Sequence, residues 1–247
     1  MNWYDDLNKM RIDIVCTTWG REWMTKLCLA ALRKNTATPF RLIMIDNGSE
    51  PFTQHDYLNS SDIYVKLDKN YGLEYAKNLG MKFVESEFFV SLDNDIMVYA
   101  YQPDWLFQVL KLMYEHPEYG AIAPRPQTLV ADSMYIFDTP NELVDFGHVP
   151  GYARVMRTKM VNECGAWWDK REGRGHEELW IGEKFREKGY KMAWANKIKC
   201  WHLFGKEDTD EWGYPKGVDP LTHGHKPVWP MPKNDLDEIE RGTGIKI

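Results

Sequence analysis

The apolar run Phe88 to Leu92 leads directly into Asp93-Asn94-Asp95. An apolar strand has no packing use for two carboxylates at its end, so something positive must meet them. One or two carboxylates suit a hard divalent ion such as Mg2+ or Mn2+, with phosphate oxygens supplying further ligands. That chemistry points to a phosphorylated substrate. Asp-Asn-Asp is also an ordinary turn after a strand, so the reading rests on what else gathers beside it.

Two similar polar groups follow other predicted strands. Ile12-Asp13-Ile14-Val15-Cys16-Thr17 is β-rich and runs on to Thr18, and Arg41 to Ile45 ends on Asp46-Asn47-Gly48-Ser49, whose Asn and Gly tolerate turn dihedrals. Apolar residues at helical spacing mark Arg21 to Lys34 and Leu73 to Val84, with a short strand between them at Ile63 to Leu67. Pro103 is placed to open a helix running to Tyr114. Strands alternating with helices imply an α/β fold, a mostly parallel sheet covered on both faces. Ligands of such sheets bind outside the carboxyl ends of the strands. Thr17-Thr18, Asp46-Asn47 and Asp93-Asn94-Asp95 are therefore predicted to share one crevice.

Beyond Pro117 the alternation loosens. Ser133 to Phe137, Gly151 to Met156, Lys191 to Trp194 and Lys197 to Trp201 read as strands, and Lys159 to Glu163 as a short helix. Glu178 to Lys188 is a helix stopped by Gly189. From Lys206 onward, five of the thirteen prolines fall in 42 residues, which predicts a mostly irregular tail.

With 247 residues, 43% hydrophobic and 14% aromatic, the chain can fill a large core, which excludes disorder. No segment reaches the roughly 18 apolar residues of a membrane helix, and Met1 to Lys9 is unlike a signal peptide; the expected location is cytoplasmic. Cys16, Cys28, Cys164 and Cys200 are far apart without a CxxC, so neither disulfides nor a zinc cluster is expected. Residues 1–150 carry 13 Lys/Arg against 21 Asp/Glu, whereas residues 151–205 carry 12 against 7. A net +5 middle segment in a chain of net charge −6 is either an anion-binding face or a solvated helix surface.

The motifs together resemble the family 2-like glycosyltransferases of the GT-A fold, over roughly residues 11 to 205. Ile14-Val15-Cys16-Thr17-Thr18-Trp19-Gly20-Arg21 is similar to the family's opening strand and "PTYNR"-type turn, and Ile45-Asp46-Asn47-Gly48-Ser49 to its "VDNGS". Asn70-Tyr71-Gly72-Leu73-Glu74-Tyr75-Ala76-Lys77-Asn78-Leu79-Gly80 resembles "N-x-G-x-x-x-A-R-N-x-G", the most specific of the matches. Asp93-Asn94-Asp95 falls at the family's DXD, Gly175-His176-Glu177-Glu178 near its "G-x-E-D", and Cys200-Trp201-His202 at its late histidine. Lys77 stands where arginine is usual, and Glu178 where aspartate is usual.

The resemblance implies a Rossmann-like sheet with a nucleotide-sugar half at 1–117, an acceptor-side and catalytic half at 118–205, and a tail or lid at 206–247. It implies a metal-dependent, inverting transfer from a nucleoside-diphosphate sugar, UDP-sugar favoured, to a hydroxyl of a saccharide or glycoconjugate. By this resemblance Asp95 and His202, with Asp93, would hold Mn2+ (or Mg2+). Thr17, Thr18, Arg21, Asp46, Asn70, Gly72, Lys77, Asp93 and Asn94 would serve the donor, with lysine neutralising phosphate as a point charge without arginine's planar fork. Glu178 would be the catalytic base, Glu177 being the alternative, although acidic residues also favour first helical turns for the dipole alone. Trp168, Arg174 and Glu177 would face the acceptor, in or beside a Gly-rich loop placed to close on the donor.

Other readings stay open at this level. The same enzyme class could glycosylate a hydroxymethylated base in DNA, although overall acidity opposes extended DNA contact. A nucleotidyltransferase would carry a Gly-rich phosphate loop after the first strand, and Thr17-Thr18-Trp19-Gly20-Arg21 is not one. A noncatalytic sugar-nucleotide or glycan-binding module would keep the crevice and dispense with the base.

Overall fold

A computed structural model describes residues 10–49, 59–128, 139–147, 152–165, 176–203 and 233–246. The elements in chain order are β1 (Ile12–Thr18), α1 (Glu22–Asn35), β2 (Phe40–Asp46), β3 (Ile63–Lys66), α2 (Leu73–Met81), β4 (Phe88–Asp93), β5 (Ile96–Val98) and α3 (Trp105–Glu115). They continue with β6 (Tyr119–Thr128), β7 (Leu143–Asp145), β8 (Ala153–Arg157), α4 (Thr158–Glu163), α5 (His176–Glu187), β9 (Lys191–His202) and α6 (Lys233–Thr243).

The described strands form one sheet in the order β3-β2-β1-β4-β8-β6-β9-β5, with β7 also on β9. The first four are parallel, and β8 runs antiparallel between β4 and β6. All seven residues of β1 are buried, the pattern of a strand covered on both faces. One face packs on α1 and α3 through Cys28, Leu29, Leu32, Leu106, Val109 and Leu110. The other packs on α2 and α5 through Ala76, Ile181 and Phe185. Gly80 lets α2 lie against β1, since a Cβ there would come within 2.3 Å of Val15 Cγ1.

The sheet cannot stay flat at its carboxyl edge. From Asp93 to Ile96 the chain reaches at most about 11 Å, yet Ile96 lies on β5, paired with His202 of β9 and four strands along from β4. Four strand spacings in a flat sheet would need about 19 Å. The register break between β6 and β9 supplies a bend: Pro124 pairs with Ala195 and Arg125 with Lys199, so residues 196–198 of β9 have no opposite number.

Several elements differ from the sequence reading. β6 lies where no strand was expected, because Pro124 and Pro126 argue against one; they sit at and just past the register break, where a ladder tolerates proline. The two strands predicted within 191–201 are one, interrupted by that irregularity. α3 begins at Trp105, with Pro103 outside it. Asp104 caps it by accepting from Leu106 and Phe107 N–H at 3.0 and 3.3 Å, and its other oxygen takes Thr38 N–H and Oγ1–H at 3.0 and 2.9 Å. The strand expected at 133–137 lies outside the described residues, as does most of the tail. The tail's last part is the helix α6, which buries Ile239 against Met24, Ala31, Met97 and Trp201. All four cysteines are free thiols.

Candidate functional site

Strand register brings the polar groups together. Thr18 pairs with Asp46 and Thr17 with Asp93, so the ends of β1, β2 and β4 share one edge of the sheet. Gly20 and Arg21 then turn the chain through two consecutive left-handed residues (φ 59° and 49°) into α1. Gly20 N–H donates to Ser49 Oγ at 2.9 Å, which ties the turn after β1 to the turn after β2.

Asp46 is wholly buried, and both of its carboxylate oxygens are engaged within the protein. Oδ1 accepts from Ser49 N–H at 2.7 Å and Oδ2 from Tyr64 O–H at 2.8 Å, with Lys66 Nζ 4.0 Å from Oδ2. Asn47 donates to Asn70 Oδ1 at 2.8 Å and accepts from Tyr71 N–H at 2.9 Å, which locks the segment before α2 onto the β2 turn. Asn70 Oδ1 also accepts from Gly72 N–H at 2.8 Å, and Gly72 (φ 94°) opens α2.

Lys77, one turn into α2, is 2% exposed and stands 3.3 Å from Asp93 Oδ1. In the motif Asn70 to Gly80, then, Ala76 and Gly80 serve packing while Lys77 brings a charge to the edge. Asn94 turns inward, donating to Thr18 Oγ1 at 3.1 Å and Thr25 Oγ1 at 2.8 Å. Its amide braces the β4 turn against the start of α1.

Asp95 is the centre of the site. Arg21 Nη1 donates to its Oδ2 at 2.8 Å, and His202 Nε2 lies 3.6 Å from the same oxygen. Oδ1 is buried and accepts no hydrogen bond among the described residues. Burial pushes the Asp95 carboxyl up, but its neighbours His202 and Arg21 outweigh that and hold the pKa at about 2. His202 reaches Asp95 because Ile96 pairs with His202 and Leu203 N–H donates to the Asp95 carbonyl at 2.9 Å. The Tyr152 ring packs on His202 with centroids 4.6 Å apart.

An anionic carboxylate and an imidazole, with a second buried oxygen still able to accept, fit a divalent ion that takes its remaining ligands from phosphate and water. Among the described residues no group of three His, Cys, Asp or Glu side chains forms a complete cage.

α5 ends at the turn that starts β9 from the opposite edge of the sheet, so its first turn, with Glu178, lies toward the carboxyl edge. It packs on the same face as α2, which also carries Lys77. The side chain of Glu177, and all of Trp168 and Arg174, lie outside the described residues. Residues passed over in the sequence join the site: Thr25 and Tyr64 brace Asn94 and Asp46, and Tyr152 packs on His202. Arg154, wholly buried on β8 opposite Ser91, is a charge inside an apolar strand, a signal present in Ala153-Arg154-Val155-Met156. Among the described residues no helix is long and apolar enough to cross a membrane.

Direct comparison with curated proteins finds no significant match. Among solved structures, the fold is similar to a mannosyltransferase from Pyrobaculum calidifontis in complex with GDP-Man and Mn2+ (TM-score 0.63, 13% identity, 81% of this chain and 59% of that one). It is also similar to GalNAc-T7 with UDP, GalNAc and Mn2+ (TM-score 0.67, 14% identity, 88% and 46%) and to S. aureus TarS 1–349 (TM-score 0.57, 16% identity, 78% and 60%). The chain thus spans about half to three-fifths of each, and at these identities the likeness establishes the GT-A glycosyltransferase fold. Residues 13–165, which hold nearly all of β1 through β8 and every described site residue above except those on α5 and β9, match the sequence family itself, and the chain belongs to glycosyl transferase family 2.

Proposed function

We propose that the protein is a divalent-metal-dependent glycosyltransferase that moves a sugar from a nucleoside-diphosphate donor, UDP-sugar favoured, to a hydroxyl of a saccharide or glycoconjugate with inversion. The observation that carries this reading is the Asp95 carboxylate, with His202 and Arg21 on one oxygen and the other buried without a partner among the described residues. Asp95 and His202 would hold the ion, with Asp93 on its water shell or on the ribose, and the ion would supply Lewis-acid neutralisation of the departing diphosphate.

The chain's own residues do the rest. Thr17, Asp46 and the Asn70–Gly72 segment shape the nucleoside end of the crevice. Lys77, nearly buried beside Asp93, adds positive charge in surroundings of low dielectric, where it acts more strongly than in water. Glu178 accepts the acceptor's hydroxyl proton as that oxygen bonds to the anomeric carbon and the carbon–oxygen bond to the diphosphate breaks. A base opposite the leaving group makes the transfer inverting. The Trp168, Arg174 and Glu177 segment is assigned to the acceptor from the sequence resemblance.

The test is thermal stability with Mn2+ and a panel of UDP-, GDP-, CMP- and dTDP-sugars, in the wild type and Asp95→Ala. A metal-dependent rise in Tm with one nucleotide class, lost in the variant, is the expected result by linkage. No shift with any donor would overturn the reading. Once the donor is known, Glu178→Gln should bind it normally and lose transfer or hydrolysis; unchanged turnover would remove Glu178 as the base.

A further inference from the structure

Arg21 occupies Asp95 in a way that bears on how the site loads. Its guanidinium, with a side chain 14% exposed, bonds at 2.8 Å to a carboxylate side chain only 7% exposed. His202 stands near the same Oδ2, so an ion held between that oxygen and the imidazole competes with the guanidinium for it. Arg21 is also the one non-glycine residue among those described with a left-handed backbone (φ 49°). That conformation is disfavoured for a residue with a Cβ, and the ion pair, together with the Thr25 N–H and hydroxyl bonds to the Arg21 carbonyl at 3.0 and 3.2 Å, holds it.

We propose that Arg21 is the resident counter-ion of Asp95, leaves that carboxylate when a divalent ion arrives, and pairs instead with the diphosphate of the donor. The inference rests on the metal-dependent reading above and deepens it. A guanidinium and a divalent ion repel each other on one carboxylate, whereas a diphosphate offers the planar fork a bidentate partner. Without donor, metal entry costs the Arg21–Asp95 pair; with donor, a diphosphate pair replaces it. Metal and diphosphate thereby become coupled through a residue of the protein, in addition to any direct bond between them.

The probes are Mn2+ alone, followed by the electron paramagnetic resonance of the free ion, and UDP in saturating Mn2+, followed by calorimetry. They are applied to the wild type, Arg21→Met and Arg21→Gly. The methionine keeps the apolar stem, and glycine accepts the left-handed backbone without strain, so one variant remains interpretable if the other folds poorly. Coupling between sites is typically about 5–150-fold, and both variants should bind Mn2+ alone about 10-fold more tightly than the wild type and UDP with Mn2+ about 10-fold more weakly.

Unchanged or weaker Mn2+ binding in the folded variants overturns the proposal. Tighter Mn2+ with unchanged UDP also overturns it, because Arg21 would then be a counter-ion that never transfers. If the wild type binds neither Mn2+ nor UDP, the functional reading itself fails and the inference goes with it, a result distinct from either variant outcome.

Discussion

Asp46 offers the sharpest test of how the crevice is held. It is wholly buried, accepts from Ser49 N–H at 2.7 Å and Tyr64 O–H at 2.8 Å, and has Lys66 Nζ at 4.0 Å. Hydrogen bonds to a charged acceptor contribute about 1.5–3 kcal/mol each, and a buried donor left unsatisfied costs a further penalty of about 1–3 kcal/mol. Asp46→Ala removes both bonds and leaves the buried Ser49 N–H without its acceptor, while the half-buried Tyr64 hydroxyl can turn to water, so its expected cost is about 3–5 kcal/mol. Asp46→Asn keeps an amide oxygen for Ser49, and the Tyr64 hydroxyl can rotate to accept from the amide nitrogen. Its cost should be about 1–2 kcal/mol. Tyr64→Phe removes only one of the two bonds, so combined with Asp46→Ala it should add less than its own single effect, which a double-mutant cycle reads directly. Equilibrium urea unfolding with m-values compared across the set is the assay. Asp46→Ala within about 1 kcal/mol of the wild type, or Asp46→Asn as damaging as Asp46→Ala, would refute the reasoning.

Two further predictions concern the same scaffold. Asp13 accepts from Arg41 Nε at 2.7 Å and from Glu85 and Ser86 N–H at 2.7 and 3.0 Å. Burial raises its carboxyl, but these partners, Arg41 foremost, outweigh it and leave the folded value below the ordinary 3.8. Arg41 keeps Glu85 at 3.1 Å, so Asp13→Asn loses the charge-assisted bonds without stranding the guanidinium and should cost about 1.5–3 kcal/mol at pH 7. Because the folded value is lowered, the wild type's advantage is complete above the unfolded carboxylate's range and lost as pH falls through the folded value. Urea unfolding of both proteins between pH 7 and 3 should show the gap narrowing at the acid end; a constant gap would contradict the ion pair. Gly48 (φ 86°) would place a Cβ 2.3 Å from the Lys69 carbonyl carbon, whereas at Gly165 (φ 83°) a Cβ meets nothing within 4 Å. Gly48→Ala should therefore cost about 2–4 kcal/mol, and Gly165→Ala about 1 kcal/mol for the dihedral alone. Equal losses in melting experiments would show that the approach of Lys69 is not limiting.

Much of the first half was legible because its signals are local. β-rich runs ending on turn residues located β1, β2 and β4 to within a residue or two, and helical spacing located α1 and α2. Gly189 after α5 is a left-handed stop, as the composition implied. Local signals misled where a long-range contact decides the outcome. Pro124 and Pro126 speak against a strand until β9 is found to skip three residues beside them. Asp104 displaces Pro103 as the start of α3 because one carboxylate both caps the helix and anchors Thr38 from the preceding loop.

The sequence alone determined the alternation of strands and helices and the edge on which Thr17, Asp46 and Asp93 gather, because residue type and spacing encode periodicity, turns and caps directly, and its motifs carried the resemblance to the family. The resemblance already set Asp95 beside His202, and only the tertiary structure added Arg21 to the same carboxylate. Its neighbours Arg21 and His202 come from opposite halves of the chain, brought in by a left-handed turn before α1 and by the pairing of β5 with the end of β9. Only there was it decided that Asn94, between the two acidic residues, turns inward to Thr18 and Thr25 while Asp93 meets Lys77. The register between distant strands is set by the packing of the whole sheet, and no window of local sequence contains it.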